Sequence, residues 1–151
     1  VYTDGIVRIL TVSEDGSETR IYAVSLKKSE ELLRPEVSLG VSQGKDGKIK
    51  LTGNFEGYQN SSGYYTVTGH GFLYMTKARL GAKSMTANTA GRTKVSVRSW
   101  ASDGSYTYSM TPKSPGTKYV VRAYLTYTNE AGKTVYVYSA PLLVSYDSLA
   151  E

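Results

Sequence analysis

Four of the five aspartates in this 151-residue chain are followed directly by glycine. The pairs begin at Asp4, Asp15, Asp46 and Asp103. Asp-Gly between alternating apolar runs is the strongest short-range signal for a β-hairpin, because both residue types tolerate the positive φ angles of a tight turn. The pattern predicts a chain built from hairpins, and it assigns most of the aspartates to turns rather than to catalysis or metal binding.

The segments between these turns are rich in Val, Tyr and Thr, which favour β-strands. Predicted strands cover residues 6–12, 19–26, 36–42, 48–55, 64–68, 71–76, 93–100, 105–110, 118–128, 133–139 and 141–146. So many short strands at this spacing predict an all-β sandwich or barrel. Residues 93–100 and 105–110 are expected to pair across Asp103-Gly104, and residues 77–92 are expected to form a long surface loop.

Residues 118–128 form the longest predicted strand. Side chains alternate between the two faces of a strand, so every second residue shares a face. One face carries Tyr119, Val121, Ala123, Leu125 and Tyr127. The other face carries Arg122, Thr126 and Thr128.

Composition limits the classes of protein to which the chain can belong. It has no cysteine, which excludes disulfides, thiolate nucleophiles and Cys-ligated metals. The net charge of +5 comes from scattered Lys and Arg, of which Lys27-Lys28 is the densest pair, so no nucleic-acid site is expected. An acidic cell-wall polymer stays open as a partner. No apolar run reaches the ~18 residues of a membrane span.

Few residues could carry catalysis. His70 is the only histidine and lies between two glycines, which predicts a bulge or turn residue and leaves no partner for a two-histidine metal site. Glycosidases need paired carboxylates, and the candidates Glu36, Glu56, Glu130 and Asp147 all lie at predicted strand ends or in loops. We therefore expect no enzyme, and no catalytic, cofactor-binding or metal-binding residues.

Tyrosine is unusually frequent, with 14 copies against 2 Phe and 1 Trp. The candidate ligand-contact aromatics are Tyr64, Tyr65, Trp100, Tyr136 and Tyr138. Such rings can stack on sugars, and they can equally fill a core or cover the face of a sheet. Both interpretations stay open at the level of sequence.

The run from Pro115 to Tyr124 reads PGTKYVVRAY. It resembles the P-G-T-x-Y-x-V-R-A-Y run of fibronectin type III-like domains. The resemblance implies a tyrosine corner formed by Pro115, Thr117 and Tyr119, in which the tyrosine hydroxyl bonds to nearby backbone.

Further motifs extend this likeness over about residues 36–146. Residues 71–76, 103–106 and 129–139 are similar, in the same order, to strands and hairpins of modules in large Gram-positive surface proteins. The chain departs from those modules at Lys113, where they usually carry leucine. Met110 is expected to fill the corresponding core position.

Residues 7–24 resemble the closing strands of bacterial cadherin-like β-sandwich repeats. Residues 1–26 are therefore expected to form a hairpin that either ends a preceding domain or adds strands to the main sandwich. Residues 27–35 are expected to be a linker, with one helical turn at residues 29–34 as the alternative. An immunoglobulin- or fibronectin III-like antiparallel β-sandwich is expected over residues 36–148.

The resemblance implies a secreted, extracellular protein of the bacterial surface. The chain begins at Val1 without a visible signal peptide, so we expect a processed or excised part of a longer protein. The expected function is a non-catalytic structural or adhesion module. The alternatives are a subunit of a self-assembling filament joined by β-strand addition, and a carbohydrate-binding module. Expected partners are other domains or copies of the same protein and cell-wall or host polysaccharide, with no nucleic acid and no membrane span.

Overall fold

The computed structural model describes residues 5–26, 32–55 and 63–150, and in the first of these ranges it describes side chains for residues 9–21. The described residues form ten β-strands, and every pair of neighbouring strands is antiparallel. The expected all-β fold class is therefore confirmed. The chain divides into two compact units, residues 1–31 and 32–151, with the division inside the stretch expected to be a linker.

The first unit contains a hairpin of strands β1 (Gly5–Val12) and β2 (Thr19–Leu26). Its turn is held by Asp15, whose carboxylate accepts hydrogen bonds from the Ser17 N–H at 2.9 Å and from the Ser17 hydroxyl at 2.6 Å. These bonds lower the pKa of Asp15 to about 2. The hairpin is the one that the Asp-Gly pattern predicts, whereas Asp4 lies outside the described residues.

The second unit contains eight strands. They are β3 (Val37–Gln43), β4 (Ile49–Phe55), β5 (Val67–Thr76), β6 (Thr93–Ser96), β7 (Ser105–Met110), β8 (Tyr119–Thr128), β9 (Thr134–Tyr138) and β10 (Leu142–Val144). A short helix α1 (Lys77–Leu80) follows β5, and 3-10 turns lie at Lys45–Gly47 and Asp147–Leu149. No helix in the described part of the chain is long enough to cross a membrane.

These strands form two sheets. The small sheet has the order β3-β4-β7. The large sheet has the order β6-β5-β8, and both β9 and β10 pair with the far side of β8. Because β9 pairs with the second half of β8 and β10 with its first half, the two form one interrupted edge strand. The result is an antiparallel sandwich with three strand positions in one sheet and four in the other.

The inner faces of the two sheets meet in the main core. Five alternating residues of β8, which share one face of the strand, are at most 5% exposed: Tyr119, Val121, Ala123, Leu125 and Tyr127. Their main partners from the other strands are Ile49, Leu51, Phe55, Phe72, Tyr106 and Met110. Met110 is 1% exposed in this core, whereas Lys113 is exposed.

Tyr106 crosses the middle of the main core. Its hydroxyl donates to the backbone oxygen of Tyr124 at 2.9 Å, so it links the small sheet to the large one. Its ring lies over Gly53, the residue opposite it on β4. A Cβ atom at Gly53 would lie 2.7 Å from two ring carbons of Tyr106, closer than packed atoms approach. The lack of a side chain at Gly53 therefore makes room for the tyrosine.

The outer face of the large sheet is also buried, in a second core. Leu73 and Met75 of β5 and Val120 of β8 pack there against Leu80 and Met85 from the segment after β5. The expectation of a surface loop at residues 77–92 is therefore wrong in part. Apolar side chains on both faces of the two central strands need cover on both sides, and this segment supplies the outer cover.

Arg122 holds the covering segment in place. Its side chain donates to the Met85 backbone oxygen at 3.0 Å and to the Ser139 backbone oxygen at 2.9 Å. The guanidinium carbon lies 4.8 Å from the centre of the Tyr138 ring, and the Tyr138 hydroxyl accepts a hydrogen bond from the Ala87 N–H at 2.9 Å. Two polar anchors thus fix a segment that has no regular strand.

The expected pairing of residues 93–100 with residues 105–110 is wrong, whereas the bulge expected beside His70 is present. Strand β6 ends at Ser96 and pairs with β5, whereas β7 pairs with β4 in the other sheet. The Asp103-Gly104 turn forms, with the Asp103 carboxylate accepting from Ser105, but it carries the chain between sheets instead of closing a hairpin. The region expected to be two strands broken near Gly69 is one strand, β5, with a register shift between Val67 and Gly69.

The hairpin around Asp46-Gly47 forms as predicted, with both residues at positive φ angles of 56° and 71°. Of the alternative helical turn at residues 29–34, only residues 32–34 are described. They contain no helix, because Leu33 forms a parallel bridge with Tyr64.

Candidate functional site

A shallow cleft of about 490 Å³ lies on the outer face of the large sheet, beside the second core. Six side chains define its chemistry, and we call it the β6–β9 cleft: Lys94, Arg98, Trp100, Tyr124, Thr126 and Tyr136. Alternation places Lys94 of β6, Tyr124 and Thr126 of β8 and Tyr136 of β9 on one face. The structure thus brings together Trp100 and Tyr136, two of the five candidate aromatics.

Lys94 is held between aromatic rings. Its Nζ atom donates to the Tyr136 hydroxyl at 2.6 Å and lies 4.9 Å and 5.3 Å from the ring centres of Tyr136 and Tyr124. Such cation–π contacts favour a fixed position for an ammonium group. No ion pair between described residues includes Lys94 or Arg98. Both cations of the cleft therefore keep their positive charge available to a ligand.

Trp100 forms one wall of the cleft and is 43% exposed. Its ring packs edge-on against His70, with ring centres 4.9 Å apart, and against Phe55 at 6.3 Å. One part of the indole therefore covers buried aromatic rings while another part meets solvent. Packing therefore accounts for one part of the ring, and the other part is exposed in the cleft.

His70 also lines the cleft but is only 2% exposed. It pairs with Leu125 inside β5, so it is a core residue next to the register shift and not a turn residue. Neither ring nitrogen has a hydrogen-bond partner among the described residues. Burial lowers the pKa of His70 below its ordinary value, because the charged imidazolium loses its hydration.

Hydroxyl groups complete the surface of the cleft. Thr68 and Thr126 share a hydrogen bond of 3.0 Å, and Ser96 and the Tyr124 hydroxyl share one of 3.1 Å. Thr126 and Tyr124 are buried and also donate to the backbone oxygens of Gly69 and Val95, whereas Thr68 and Ser96 are exposed, so Thr68 and Ser96 are the hydroxyls that a ligand can reach. The cleft therefore combines cations, an exposed aromatic ring and hydroxyls.

The stretch of sequence that carries Lys94, Arg98 and Trp100 contains no acid. No Asp or Glu occurs between Glu56 and Asp103, a stretch that holds six basic residues, Lys77, Arg79, Lys83, Arg92, Lys94 and Arg98. Over residues 32–151 there are fourteen Lys and Arg against seven Asp and Glu, a formal charge of +7. The charge is thus concentrated in the unit that contains the cleft, and this acid-free stretch is the sequence signal that could have located it.

The three other candidate aromatics do not line the β6–β9 cleft. Tyr64 is half-buried beside Leu33, and Tyr65 stacks on Tyr127 with ring centres 4.7 Å apart. Tyr138 lies alongside Tyr136, with ring centres 5.9 Å apart, and anchors the segment after β5 as described above. Ring packing thus accounts for the positions of Tyr65 and Tyr138, and a backbone bridge for that of Tyr64.

The three residues of the expected tyrosine corner lie at the beginning of β8. The Tyr119 hydroxyl accepts a hydrogen bond of 2.9 Å from the backbone N–H of Lys113. The hydroxyl of Thr117 bonds to that of Ser114 at 2.8 Å, and the backbone oxygen of Pro115 accepts from the Asp147 N–H at 3.1 Å. These bonds fix the corner that leads into β8.

The carboxylates that could serve catalysis are dispersed. Glu36, Glu130 and Asp147 are exposed and belong to separate elements, and Glu56 lies outside the described residues. Within the described residues there is also no group of three or more His, Asp or Glu side chains that could hold a metal ion.

The sequence was also compared with known proteins. No protein-family model matches the chain. No curated protein matches it either. The likeness of residues 36–146 to fibronectin type III-like modules therefore stands on the short motifs given above.

Proposed function

We propose that this chain is a non-catalytic adhesion or structural module of a bacterial surface protein and acts outside the cell. The observation that supports this most is the hydrogen bond between Tyr119 and Lys113 at the entrance to β8. A tyrosine hydroxyl bonded to backbone a few residues upstream is the tyrosine corner of immunoglobulin-like sandwiches. The corner supports membership of that group of modules at the very position where the PGTKYVVRAY motif suggests it.

The division of strands supports the same group. Seven strand positions divided three and four, with β9 and β10 as one edge, match the seven-stranded immunoglobulin-like sandwich. Modules of this kind in surface proteins carry contact surfaces on a rigid scaffold. The β6–β9 cleft is such a surface, since its side chains project from four neighbouring strands.

A test of the non-catalytic assignment uses the intact chain and a panel of surface polysaccharides. Mass spectrometry of the sugars after long incubation should show unchanged chain lengths. Release of shorter sugars that persists in the His70→Phe variant and is lost after Glu130→Gln or Asp147→Asn would show instead that the carboxylates are catalytic.

The N-terminal hairpin favours a second candidate function, a filament subunit. Four apolar side chains of the hairpin are between 48% and 67% exposed, namely Ile9, Leu10, Val12 and Ile21. Ile9 and Leu10 are consecutive in β1, so they point to opposite faces. A two-stranded sheet is marginal alone in water, and its outer edges present unpaired backbone groups. Strand addition to another copy would stabilise it.

Light scattering distinguishes the two candidates. The intact chain is measured over a wide concentration range beside a variant that begins at Leu32. A constant mass of 16.5 kDa for the intact chain supports a monomeric module. Mass that grows with concentration in the intact chain, and not in the shortened variant, supports the filament subunit.

A further inference from the structure

We infer that the β6–β9 cleft binds a carboxylate-bearing sugar residue of an acidic polysaccharide. The inference rests on the proposed adhesion function and deepens it by naming the ligand class and the residues that recognise it. Lys94 and Arg98 bind the carboxylate, Trp100 contacts the ring, and the exposed hydroxyls of β5 and β6 complete the contact.

The two cations of the cleft, Lys94 and Arg98, indicate that the ligand is negatively charged. Lys94 and Arg98 form no ion pair with described residues, and the stretch of sequence to which they belong, residues 57–102, contains no acid. A surface patch of one sign raises the local concentration of ligands of the opposite sign. A neutral sugar would leave both cations without an anionic partner, whereas a uronic acid supplies one.

The shape and polarity of the cleft favour a sugar over other anions. A sugar ring has an apolar face of C–H groups and a rim of hydroxyls. Trp100 offers an exposed aromatic surface to the apolar face, and the exposed hydroxyls of Thr68 and Ser96 offer hydrogen bonds to the rim. Small-molecule sites usually combine an aromatic or apolar lining with a small number of polar groups.

A nucleic-acid strand fits the same residues less well. Single strands bind to a track of cations with successive bases stacked on successive rings. The Lys94 ammonium group lies over the Tyr136 ring and donates to its hydroxyl. This contact takes the place that a stacking base would need on the Tyr136 ring. Trp100 then remains as the exposed ring of the cleft, enough for one sugar residue.

His70 supplies an independent observation. It is 2% exposed, lines the cleft, and has two ring nitrogens without a hydrogen-bond partner among the described residues. Buried polar atoms without partners are rare in native proteins and mark places where a ligand or water completes the structure. Both nitrogens are buried, so a sugar hydroxyl does not reach them directly, and a water between the ring and the cleft is the group that can satisfy them.

The test measures binding of the intact chain to polygalacturonate by isothermal titration calorimetry. Fully methyl-esterified polygalacturonate is the matched ligand, because it keeps the sugar backbone and masks the carboxylates. A poly(glycerol phosphate) distinguishes carboxylate from phosphate recognition. We expect binding to the free acid and at least ~10-fold weaker binding to the ester and to the phosphate polymer.

The variants locate the site. Lys94→Gln/Arg98→Gln should weaken binding about 10-fold, as expected for two lost surface charge contacts. The control Lys113→Gln/Lys118→Gln makes the same change in net charge at exposed lysines outside the cleft and should bind as the unmodified chain does. Trp100→Leu keeps an apolar cover over His70 and should weaken binding roughly 5- to 10-fold with an unchanged circular dichroism spectrum.

Failure of this inference can be told apart from failure of the proposed module function. Absence of binding to polygalacturonate and to hyaluronate, in a chain that stays monomeric and leaves sugars intact, overturns the sugar site alone. Equal weakening by the cleft pair and by the control pair also overturns it, since net charge would then explain the affinity. Equal affinity for the phosphate polymer overturns the choice of a carboxylate sugar.

Discussion

Replacing Gly53 with alanine should destabilise the sandwich, although alanine is normally the better residue within a strand. The added Cβ would lie 2.7 Å from two carbons of the Tyr106 ring, in a core where Tyr106 is 2% exposed. The ring is held by the hydrogen bond from its hydroxyl to the Tyr124 backbone oxygen, so it cannot turn aside without losing that bond. The sheets must therefore shift to accommodate the methyl group.

Two opposing effects determine how much Gly53→Ala changes the free energy of unfolding. Replacing glycine in a strand gains about 0.5–1 kcal/mol, because the unfolded chain loses conformational freedom. Overpacking a core costs about 1–3 kcal/mol, and a lost buried hydrogen bond adds roughly 1 kcal/mol. The steric cost is larger than the gain from replacing glycine, so the free energy of unfolding should fall by about 1–3 kcal/mol.

Gly40→Ala is the matched control. Gly40 lies in β3 of the same sheet, and its added Cβ would lie 3.9 Å from the nearest atom, the Thr52 backbone oxygen. This is ordinary van der Waals contact, so the change should be neutral or should stabilise by up to ~1 kcal/mol.

The assay is urea unfolding followed by Trp100 fluorescence and by far-ultraviolet circular dichroism. A double-mutant cycle with Tyr106→Ala is measured in the same way. Removal of the ring should cancel most of the destabilisation caused by Gly53→Ala, so the coupling free energy between the two substitutions should be at least ~1 kcal/mol. Equal stability of the Gly53 and Gly40 variants, or a cost for Gly53→Ala that persists without the Tyr106 ring, would refute the packing described for the core.

Three further substitutions test other parts of the structure. Tyr119→Phe removes the acceptor of the Lys113 N–H and should lower the free energy of unfolding, measured in urea, by about 1 kcal/mol. An unchanged free energy of unfolding would mean that the hydrogen bond at the corner is not formed in solution. Tyr138→Phe removes the acceptor of the Ala87 N–H and should speed tryptic cleavage within residues 77–92, whereas cleavage at the unmodified rate would contradict the anchoring role. The pKa of His70 is lowered in the folded state, so the unfolded chain takes up a proton first as pH falls. The folded chain therefore loses stability as pH falls below about 6.5, the ordinary pKa of histidine. His70→Phe should therefore lose less melting temperature between pH 7 and pH 5 than the unmodified chain, and an identical loss would disprove burial of a neutral His70.

Turns were predictable from sequence because their chemistry is local. Asp46 and Gly47 take positive φ angles, and Asp15 and Asp103 each accept hydrogen bonds from a serine two residues later. The same local rule failed to give the partner of β6, because a turn at Asp103 leaves open whether the next strand joins the same sheet. Packing of β7 against β4 through Tyr106 decides that, and it depends on residues far away in the chain.

The second core was hidden from sequence analysis for a related reason. Leu80 and Met85 are buried, yet they lie in a helix of four residues and an irregular segment, so no periodic pattern reveals their burial. The candidate site was predicted in part. Trp100 and Tyr136 stood out as aromatic, whereas the contribution of Lys94 depends on its place between two rings from other strands.

The most direct measurement is a nuclear magnetic resonance titration of the intact, ¹⁵N-labelled chain with a galacturonate oligosaccharide, since it reports the site and the fate of the sugar together. The account predicts that the Trp100 indole signal and the amide signals of Lys94 and Thr126 shift, that signals of the β3-β4-β7 sheet stay in place, and that the sugar is recovered uncleaved. Absence of shifts at saturating oligosaccharide, shifts centred on another surface, or cleavage of the sugar would contradict it.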